Sequence, residues 1–193
     1  MPTDPFALFA EWMALAKESE INDPDAMALA TATPDGRPSV RMVLMRRYGP
    51  EGFGFFTNLQ SRKGGEIAAN PWGALCIHWK SLRKQVRAEG RLVAISDAEA
   101  DDYFASRSRN SRIGSHASDQ SRPLDSRETF VRRVEEMQER FADDEVPRPA
   151  HWSGFRLVPD RIEFWEDVEF RLHHRRLFER QADGSWTEGL LYP

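Results

Sequence analysis

The stretch that most constrains the fold runs from Arg41 to Gly65 and reads RMVLMRRYGPEGFGFFTNLQSRKGG. An apolar strand with arginine at its ends, a Gly-Pro-Glu-Gly turn and an aromatic strand lead into a cationic Ser-Arg-Lys-Gly-Gly segment that opens a helix. Backbone N–H groups at a helix N-terminus, with a guanidinium and an ammonium beside them, suit a phosphate monoester. The stretch therefore predicts two strands that lead the chain to a phosphate site.

Short strands separated by turn signals continue on both sides of this stretch. The segment MALATAT alternates as a strand and ends at the hairpin signal Pro34-Asp35-Gly36, and Pro38 to Arg47 forms the return strand. Residues 72–79 and 85–95 predict two further strands, and GFRLV, RIEFW and FRLHHRRLFER predict the C-terminal ones. Six to eight strands, mostly linked by short turns, predict a mainly β (α+β) fold, an antiparallel barrel with helical additions.

Local capping signals predict three or four helices beside the barrel. Asp4 and Pro5 start the first helix, and residues 61–70 form a short second one. The capping boxes Ser96-x-x-Glu99 and Asp125-x-x-Glu128 start two more helices. We expect a single domain over residues 1–193, with an N-terminal helix at 1–20, a helical insertion at 96–145 and C-terminal strands at 153–193.

Two parts of the helical insertion allow more than one interpretation. The polar segment from Ser106 to Ser126 predicts a long loop with a functional or interfacial role. The helix that follows has an apolar stripe made of Phe130, Val134, Met137 and Phe141. We expect this stripe to pack in the core rather than to contact a cofactor.

Composition and missing motifs exclude several classes of function. The net charge of −4 argues against nucleic acid as the main partner, and no apolar run approaches the roughly 20 residues that span a bilayer. The single cysteine, Cys76, excludes an internal disulfide framework and a cysteine-based zinc site, and it fits a reducing cytoplasm. The fingerprints of Rossmann folds, P-loops, zincins and nucleophile-elbow hydrolases are absent, and no metal site is expected.

Two basic clusters are candidates for anion binding. Arg62 and Lys63 lie at a helix start just after Thr57. The two cations form either an anion-binding site or simply a solvated basic helix start, and the sequence favours neither interpretation over the other. By strand parity Arg41 and Arg46 face opposite sides unless a bulge intervenes, so they serve two ligand groups, or one ligand and one structural contact.

Three further groups complete the candidates. Tyr103, Arg107 and Ser111 share a face if one helix continues through them, and they then form a phosphate or carboxylate clamp or an ordinary surface triple. The alternation in FRLHHRR places Arg171, His173 and Arg175 on one strand face, either to bind an oxyanion or substrate hydroxyl or as an exposed basic edge. Neutral hydrogen-bonding side chains suited to a heterocycle are Gln85, Gln120 and Ser121.

In order along the chain, RMVLMR, FFTNLQSRKG, QVRAEG, YFASRSRNSRIG, SDQS, VPRPAHWSGFRL, IEFW and RLHHR resemble the pyridoxine (pyridoxamine) 5′-phosphate oxidase family. The resemblance covers nearly the whole chain, from about Asp4 to Pro193. It implies an FMN-binding, Greek-key-like split β-barrel and a homodimer with FMN and substrate between the subunits. The implied reaction oxidises pyridoxamine or pyridoxine 5′-phosphate to pyridoxal 5′-phosphate and reduces dioxygen to hydrogen peroxide.

Position by position, the resemblance also implies site residues. It assigns FMN contacts to Arg41, Met42, Val43, Leu44, Phe56, Thr57, Arg62, Lys63, Gln85, Gln120, Ser121, Trp165 and Arg175. It assigns substrate contacts to Arg46, Tyr103, Arg107, Ser111, Arg171 and His173, of which the last two are the catalytic pair at the pyridine ring. Within the organising strand, Arg41 is thus expected to face the flavin and Arg46 the substrate.

The chain departs from the family pattern at a few of these positions. Arg46 stands where a lysine is usual, His174 replaces the aspartate of RLHDR, and residues 166–168, Glu-Asp-Val, replace a Gln-Gly-rich turn. Two alternative functions therefore stay open. One is a divergent flavin oxidoreductase that acts on another anionic substrate, and the other is an FMN- or pyridoxal-phosphate-binding protein with little turnover.

Overall fold

The computed structural model describes residues 4–193, so residues 1–3 of the expected N-terminal segment lie outside the described part. The described chain forms nine strands, five α-helices and one 3-10 turn. In chain order they are α1 Pro5–Ser19, β1 Ala26–Ala32, β2 Pro38–Leu44, β3 Arg47–Gly49, β4 Gly52–Asn58, α2 Arg62–Ala69, β5 Trp72–Trp79, β6 Lys84–Ala94, α3 Asp97–Ser106, α4 Arg109–Ala117, α5 Arg127–Phe141, β7 Trp152–Glu166, the 3-10 turn Glu169–Arg171, β8 His174–Arg180 and β9 Trp186–Leu190.

All strand pairs are antiparallel and belong to one curled sheet, which confirms the expected fold class. The order is β2-β1-β5-β6-β7-β4-β3, and β8 pairs with β7 and β9. Because β2 continues into β3 through Met45 and Arg46, the two ends of this order are neighbours in the chain, and the sheet closes toward a barrel. The expected single strand from Pro38 to Arg47 is therefore wrong. Met45 turns into the core, where it is buried, and the chain changes partner from β1 to β4.

The long strand β7 joins the two halves of the sheet. Its first half pairs with β4 and its second half with β8, while β6 pairs along almost its whole length. The register with β6 shifts between Glu89 and Gly90, and a Cβ on Gly90 would lie 2.1 Å from the Val158 carbonyl oxygen. A glycine is required there because the two backbones approach so closely. The segments GFRLV and RIEFW, expected as separate strands, are parts of this one strand.

Helix α1 fills the mouth of the curled sheet with aromatic rings. Asp4 caps the helix by accepting a hydrogen bond from the Phe6 N–H, and Pro5 occupies the first helical position, as the sequence predicted. Phe9 is fully buried, and its ring centroid lies 5.0 Å from that of Phe53; Trp12 lies 5.1 Å from Phe164. These edge-to-face contacts tie the helix to strands from both halves of the sheet.

The helical insertion differs from the predictions in two places. The expected loop from Ser106 to Ser126 contains α4, which Ser108 caps and which buries Ile113 and Ala117. The helix expected to begin at Asp125 is instead capped by Ser126, whose hydroxyl accepts from the Thr129 N–H. Three members of the stripe on α5, Val134, Met137 and Phe141, pack with Ile113 of α4 and with Val146 in a second small core, whereas Phe130 lies outside it.

Candidate functional site

A pocket of about 470 Å³ opens between β2, β4, the start of α2 and the helical insertion. Ten of the predicted site residues line it: Met42, Val43, Leu44, Arg46, Phe56, Thr57, Lys63, Tyr103, Arg107 and Gln120. Three of its lining side chains are cationic, and among the described residues no aspartate or glutamate lines it. The pocket therefore presents a strongly positive surface to a ligand.

Lys63 is the most unusual charge in the pocket. Only 8% of the residue is exposed, and its Nζ donates to Thr57 Oγ1 at 3.0 Å, Ser61 Oγ at 3.3 Å and Gln120 Oε1 at 2.9 Å. These partners are all neutral. Burial, and next the charge of Arg41, lower the pKa of the Lys63 ammonium. A buried cation held only by neutral oxygens at the start of a helix is a site prepared for an anion.

The helix start itself is organised by Ser61, whose hydroxyl accepts from the Gly64 N–H. A Cβ on Gly64 would lie 2.1 Å from the Leu59 carbonyl oxygen, so only glycine lets the helix begin this close to the preceding turn. Gln120, from the segment after α4, accepts from both Thr57 and Lys63 and so links the insertion to the helix start. Its neighbour Ser121 has a left-handed φ of 71°, is exposed and does not line the pocket.

Arg41 and Arg62 also lie outside the pocket lining, because Glu66 holds both. Arg41 Nη2 is 3.2 Å from Glu66 Oε2, and Arg62 Nε is 2.8 Å from Oε1. Arg41 also donates to the Leu29 carbonyl and to Thr31 and Ser39. Burial alone would raise the pKa of Glu66, which is 6% exposed, but hydrogen bonds from Ser39, Thr31 and Arg62 lower it to about 2. The orientation of Arg41 toward flavin stays a prediction.

Arg46 and Arg107 approach the pocket from different elements. Arg46 lies between β2 and β3, and its Nη1 is 2.6 Å from Asp25 Oδ2. Arg107 follows α3, where its Nη1 donates to Ser115 Oγ at 2.6 Å and its guanidinium lies 4.9 Å from the Trp152 ring. Burial lowers the pKa of Arg107, and the charge of Arg46 acts in the same direction. Because both guanidiniums line the same pocket, an anion bound between them would relieve their mutual repulsion.

No single helix runs through Tyr103, Arg107 and Ser111, so the condition under which the three would share a helix face is not met. Arg107 ends α3 with an extended ψ of 150°, and Ser108 then caps α4. Tyr103 and Arg107 still line the pocket, whereas the Ser111 hydroxyl lies 2.9 Å from that of Ser108 and does not line it. The lining hydroxyl on α4 is that of Ser115, one turn further on.

An aromatic wall closes one side of the pocket. The rings of Phe56 and Tyr103 are stacked with centroids 4.1 Å apart, and Trp152 lies parallel to Phe56 at 5.4 Å. Sequence reasoning missed Trp152, and it treated Phe130, which also lines the pocket, as core. Trp152 stands inside the segment PAHWSGFR, but neither periodicity nor spacing marks it as a pocket residue.

The remaining predicted residues form a second cluster where β6 begins, β7 ends and β8 begins, and none of them lines the pocket. Gln85 pairs with Trp165, which pairs with Arg175, so these three side chains share one face of the sheet. Arg175 makes two hydrogen bonds to Glu163, and Trp165 packs against His173 with centroids 4.6 Å apart.

The expected alternation of Arg171, His173 and Arg175 along one strand is also wrong. β8 begins only at His174, and Arg171 lies in the preceding 3-10 turn with a φ of 64°. A left-handed backbone at a non-glycine residue cannot be read from an alternating pattern. His173 instead lies against the end of β7, where its Nδ1 is 3.0 Å from Asp167 Oδ1.

Two family models match the chain. One, described as pyridoxamine 5′-phosphate oxidase, matches residues 15–141; the other, described as the pyridoxine 5′-phosphate oxidase C-terminal dimerisation region, matches residues 152–193. The chain belongs to the pyridoxamine 5′-phosphate oxidase family. The pocket lies largely in the first matched region of this family, and Trp165, Arg171, His173 and Arg175 lie in its dimerisation region.

Individual members of the family support this assignment over the full length. The pyridoxine/pyridoxamine 5′-phosphate oxidase of Sphingopyxis alaskensis is 64% identical over 193 residues, which are 100% of this chain and 89% of that protein. The protein of the same name from Gluconobacter oxydans is 58% identical over 193 residues, which are 100% of this chain and 96% of that protein.

Solved structures confirm the split β-barrel fold. PhzG from Burkholderia lata, in complex with tetrahydrophenazine-1-carboxylic acid, superposes with a TM-score of 0.93 at 33% identity, covering 100% of this chain and 94% of PhzG. A pyridoxamine 5′-phosphate oxidase-related, FMN binding protein from Nostoc punctiforme has the same fold, with a TM-score of 0.79 at 18% identity over 100% of both chains.

Proposed function

We propose that this chain is an FMN-dependent oxidase that converts pyridoxamine 5′-phosphate, pyridoxine 5′-phosphate or both to pyridoxal 5′-phosphate. Dioxygen is reduced to hydrogen peroxide, and with the amine substrate water enters and ammonia leaves. The observation that carries the proposal is a pocket with three cations, an aromatic wall and no lining carboxylate among the described residues. Two phosphorylated, ring-containing ligands match that chemistry.

The FMN phosphate fits the start of α2. Lys63 supplies a buried positive charge without an acidic partner, and the N-terminus of the helix supplies backbone N–H donors. Gln120 holds the ammonium in place from the side. FMN held here would supply the two-electron redox chemistry that links substrate oxidation to the reduction of dioxygen.

The substrate phosphate fits between Arg46, Tyr103 and Arg107. The stack of Arg107 on Trp152 and its bond to Ser115 fix the guanidinium before the ligand arrives. Arg46 is anchored by Asp25 but remains part of the pocket lining. An arginine offers two parallel N–H donors to a phosphate, so it supplies a directional contact at this position.

The second cluster can contact a substrate in this pocket if the cluster belongs to a second copy of the chain. Residues that pair across neighbouring strands lie on the same face of the sheet. Met42 pairs with Ala28, Ala28 with Cys76, Cys76 with Arg87, and Arg87 with Glu163, so Met42 lies on the same face as the cluster. That face exposes Val40 and Met42 to 69% and 63%, and Met42 also lines the pocket. We therefore propose a homodimer in which this face pairs with itself about a two-fold axis.

In that dimer each active site combines the pocket of one subunit with Gln85, Trp165, Arg171, His173 and Arg175 of the other. Arg171 and His173 would hold the substrate ring and its reacting carbon, and the pocket would hold both phosphates. The protein thus acts by positioning and electrostatics.

We also propose that residues 1–193 form one domain, because β7 of the dimerisation region pairs with β4 and β6 of the first matched region. Among the described helices, none is long and apolar enough to cross a membrane. The lone cysteine, Cys76, whose pKa is raised by burial, supports the proposal of a reducing cytoplasmic location.

Aerobic incubation of the FMN-loaded protein with each substrate, with pyridoxal 5′-phosphate and hydrogen peroxide both measured, tests the proposed activity. We expect the two products to appear in equal amounts and well above the rate of free FMN. Tight flavin binding without turnover of either substrate would refute the oxidase and favour the binding-protein alternative. Turnover only of a different anionic compound would favour the divergent oxidoreductase.

A further inference from the structure

Arg107, the guanidinium proposed to bind the substrate phosphate, is held in place without a carboxylate. Among the described residues its side chain forms no ion pair, and its one hydrogen bond is the donation from Nη1 to Ser115 Oγ at 2.6 Å. The guanidinium also lies 4.9 Å from the centre of the Trp152 ring and 5.7 Å from that of Phe104. The other N–H groups of the guanidinium therefore stay available to a ligand.

The Ser115 hydroxyl can act on a phosphate only through Arg107. It donates its proton to the Ser111 carbonyl oxygen at 3.0 Å, one turn earlier in α4, while its oxygen accepts from Arg107. A serine hydroxyl has a single proton, so in this arrangement it has no donor left for a phosphate oxygen. Ser115 therefore orients Arg107 and does not bind the ligand itself.

His151 anchors the last turn of α4 to the start of β7. Its Nε2 lies 3.0 Å from the Ser115 carbonyl oxygen, and Nε2 is the donor because a carbonyl oxygen only accepts. The His151 carbonyl oxygen in turn accepts from the Leu59 N–H at 2.7 Å, just after β4. His151 also directly precedes Trp152, the ring on which Arg107 stacks. One residue thus links the two groups that hold Arg107.

We propose that His151 and Ser115 are positioning residues of the substrate-phosphate site. His151 ties α4 to the start of β7, and Ser115 holds the guanidinium of Arg107 in the orientation that receives the phosphate. This inference rests on the proposed oxidase function and deepens it, because it adds two residues that act on the ligand only through Arg107. A donor that is held in place beforehand loses less conformational freedom when the ligand binds.

Other contacts of Arg107 do not replace this support. Arg46 lines the same pocket, but it carries a like charge and is paired with Asp25. Without the Ser115 hydroxyl, only the two aromatic rings would hold the guanidinium. Stacking on a ring face fixes the plane of a guanidinium but leaves it free to rotate within that plane. The hydrogen bond to Ser115 is what sets this rotation.

The test is the binding of pyridoxal 5′-phosphate to the FMN-loaded protein, followed through the flavin absorbance, with pyridoxal as the ligand that lacks the phosphate. Ser115→Ala and His151→Phe should each weaken the binding of pyridoxal 5′-phosphate by about 3- to 10-fold, the effect of losing one hydrogen bond. Pyridoxal should bind the wild type and both variants equally. Asn110→Ala, an exposed change on α4, is the matched control and should alter neither affinity.

A double-mutant cycle with Arg107 separates positioning from general support of the fold. If Ser115 and His151 act through Arg107, either change made in an Arg107→Ala background should weaken the binding of pyridoxal 5′-phosphate no further. In the single variants the FMN affinity should change little, and steady-state kinetics should show a higher KM for the phosphorylated substrate with kcat unchanged.

An unchanged affinity for pyridoxal 5′-phosphate in either single variant, an equal loss of pyridoxal affinity, or additive losses in the Arg107→Ala background would each overturn the proposal. A wild type that binds no pyridoxal 5′-phosphate would overturn it as well. If the wild type binds this ligand but oxidises neither substrate, the oxidase proposal fails, and the titrations still decide the roles of Ser115 and His151.

Discussion

Replacing Lys63 by methionine separates the cost of burying an ammonium from its benefit to phosphate binding. In the protein without FMN, this ammonium is buried against three neutral oxygens, and burial lowers its pKa. Lys63→Met keeps the length of the side chain and removes the charge. We therefore expect the free energy of unfolding of the FMN-free protein to stay the same or rise by about 1 kcal/mol.

The same change removes the one buried cation at the start of α2 that can contact a phosphate. Hydrogen bonds to charged groups contribute about 1.5–3 kcal/mol, so FMN should bind about 10- to 150-fold more weakly. Riboflavin, which lacks the phosphate, should bind the variant and the wild type equally. The stabilisation that saturating FMN gives in thermal unfolding should fall by the same free energy.

Quenching of flavin fluorescence, titrated with FMN and separately with riboflavin, measures both affinities. Lys17→Met, an exposed change near the end of α1, is the control for loss of a lysine and should change neither. Equal loss of FMN and riboflavin affinity would show that Lys63 supports the ring site or the fold, and no loss of FMN affinity would show that the phosphate lies elsewhere.

Three other changes test the core, the Glu66 network and the substrate clamp. Phe9→Ala should lower the free energy of unfolding by about 3–5 kcal/mol in urea titrations, because the ring is fully buried; a loss under 1 kcal/mol would contradict the packing. Glu66→Gln should cost roughly 3 kcal/mol, since it leaves Arg41 without its buried partner. Because the folded pKa of Glu66 is about 2, its contribution is complete above about pH 4.5 and is lost as the pH falls toward 2, so wild type and variant should converge there; parallel curves would contradict this. Arg107→Ala should raise KM for the phosphorylated substrate by about 10- to 100-fold with unchanged FMN affinity; steady-state kinetics that show only a lower kcat would refute the clamp.

Local chemistry explains which elements could be predicted from the sequence. Asp4 and Ser96 cap helices where the sequence predicted them, because a cap depends on residues two or three positions away. Helix α4 was missed because it is short and polar, and its stability comes from packing Ile113 against α5. The strand expected up to Arg47 was divided because barrel closure, a property of the whole sheet, turns Met45 inward.

The candidate site shows the same limit. Lys63, Thr57 and Arg107 could be found because helix starts and cationic clusters are visible in sequence. The partner of Arg41 could not, since Glu66 lies 25 positions away and the ion pair depends on how α2 packs on β1 and β2. Arg171 and His173 were placed on a strand because alternation cannot reveal the left-handed turn at residues 170–171. Asp167 was noticed only as a departure, and its contact with His173 emerged from the fold.

Complementation between two inactive variants tests most directly whether the pocket and the second cluster form one active site across a dimer. Arg107→Ala damages the pocket and His173→Ala the cluster, and co-expression with two different tags allows the mixed dimer to be purified. If each site combines the two subunits, one site of the mixed dimer is intact, and its rate should be about half that of the wild-type dimer. A mixed dimer no more active than either variant alone would contradict the shared site.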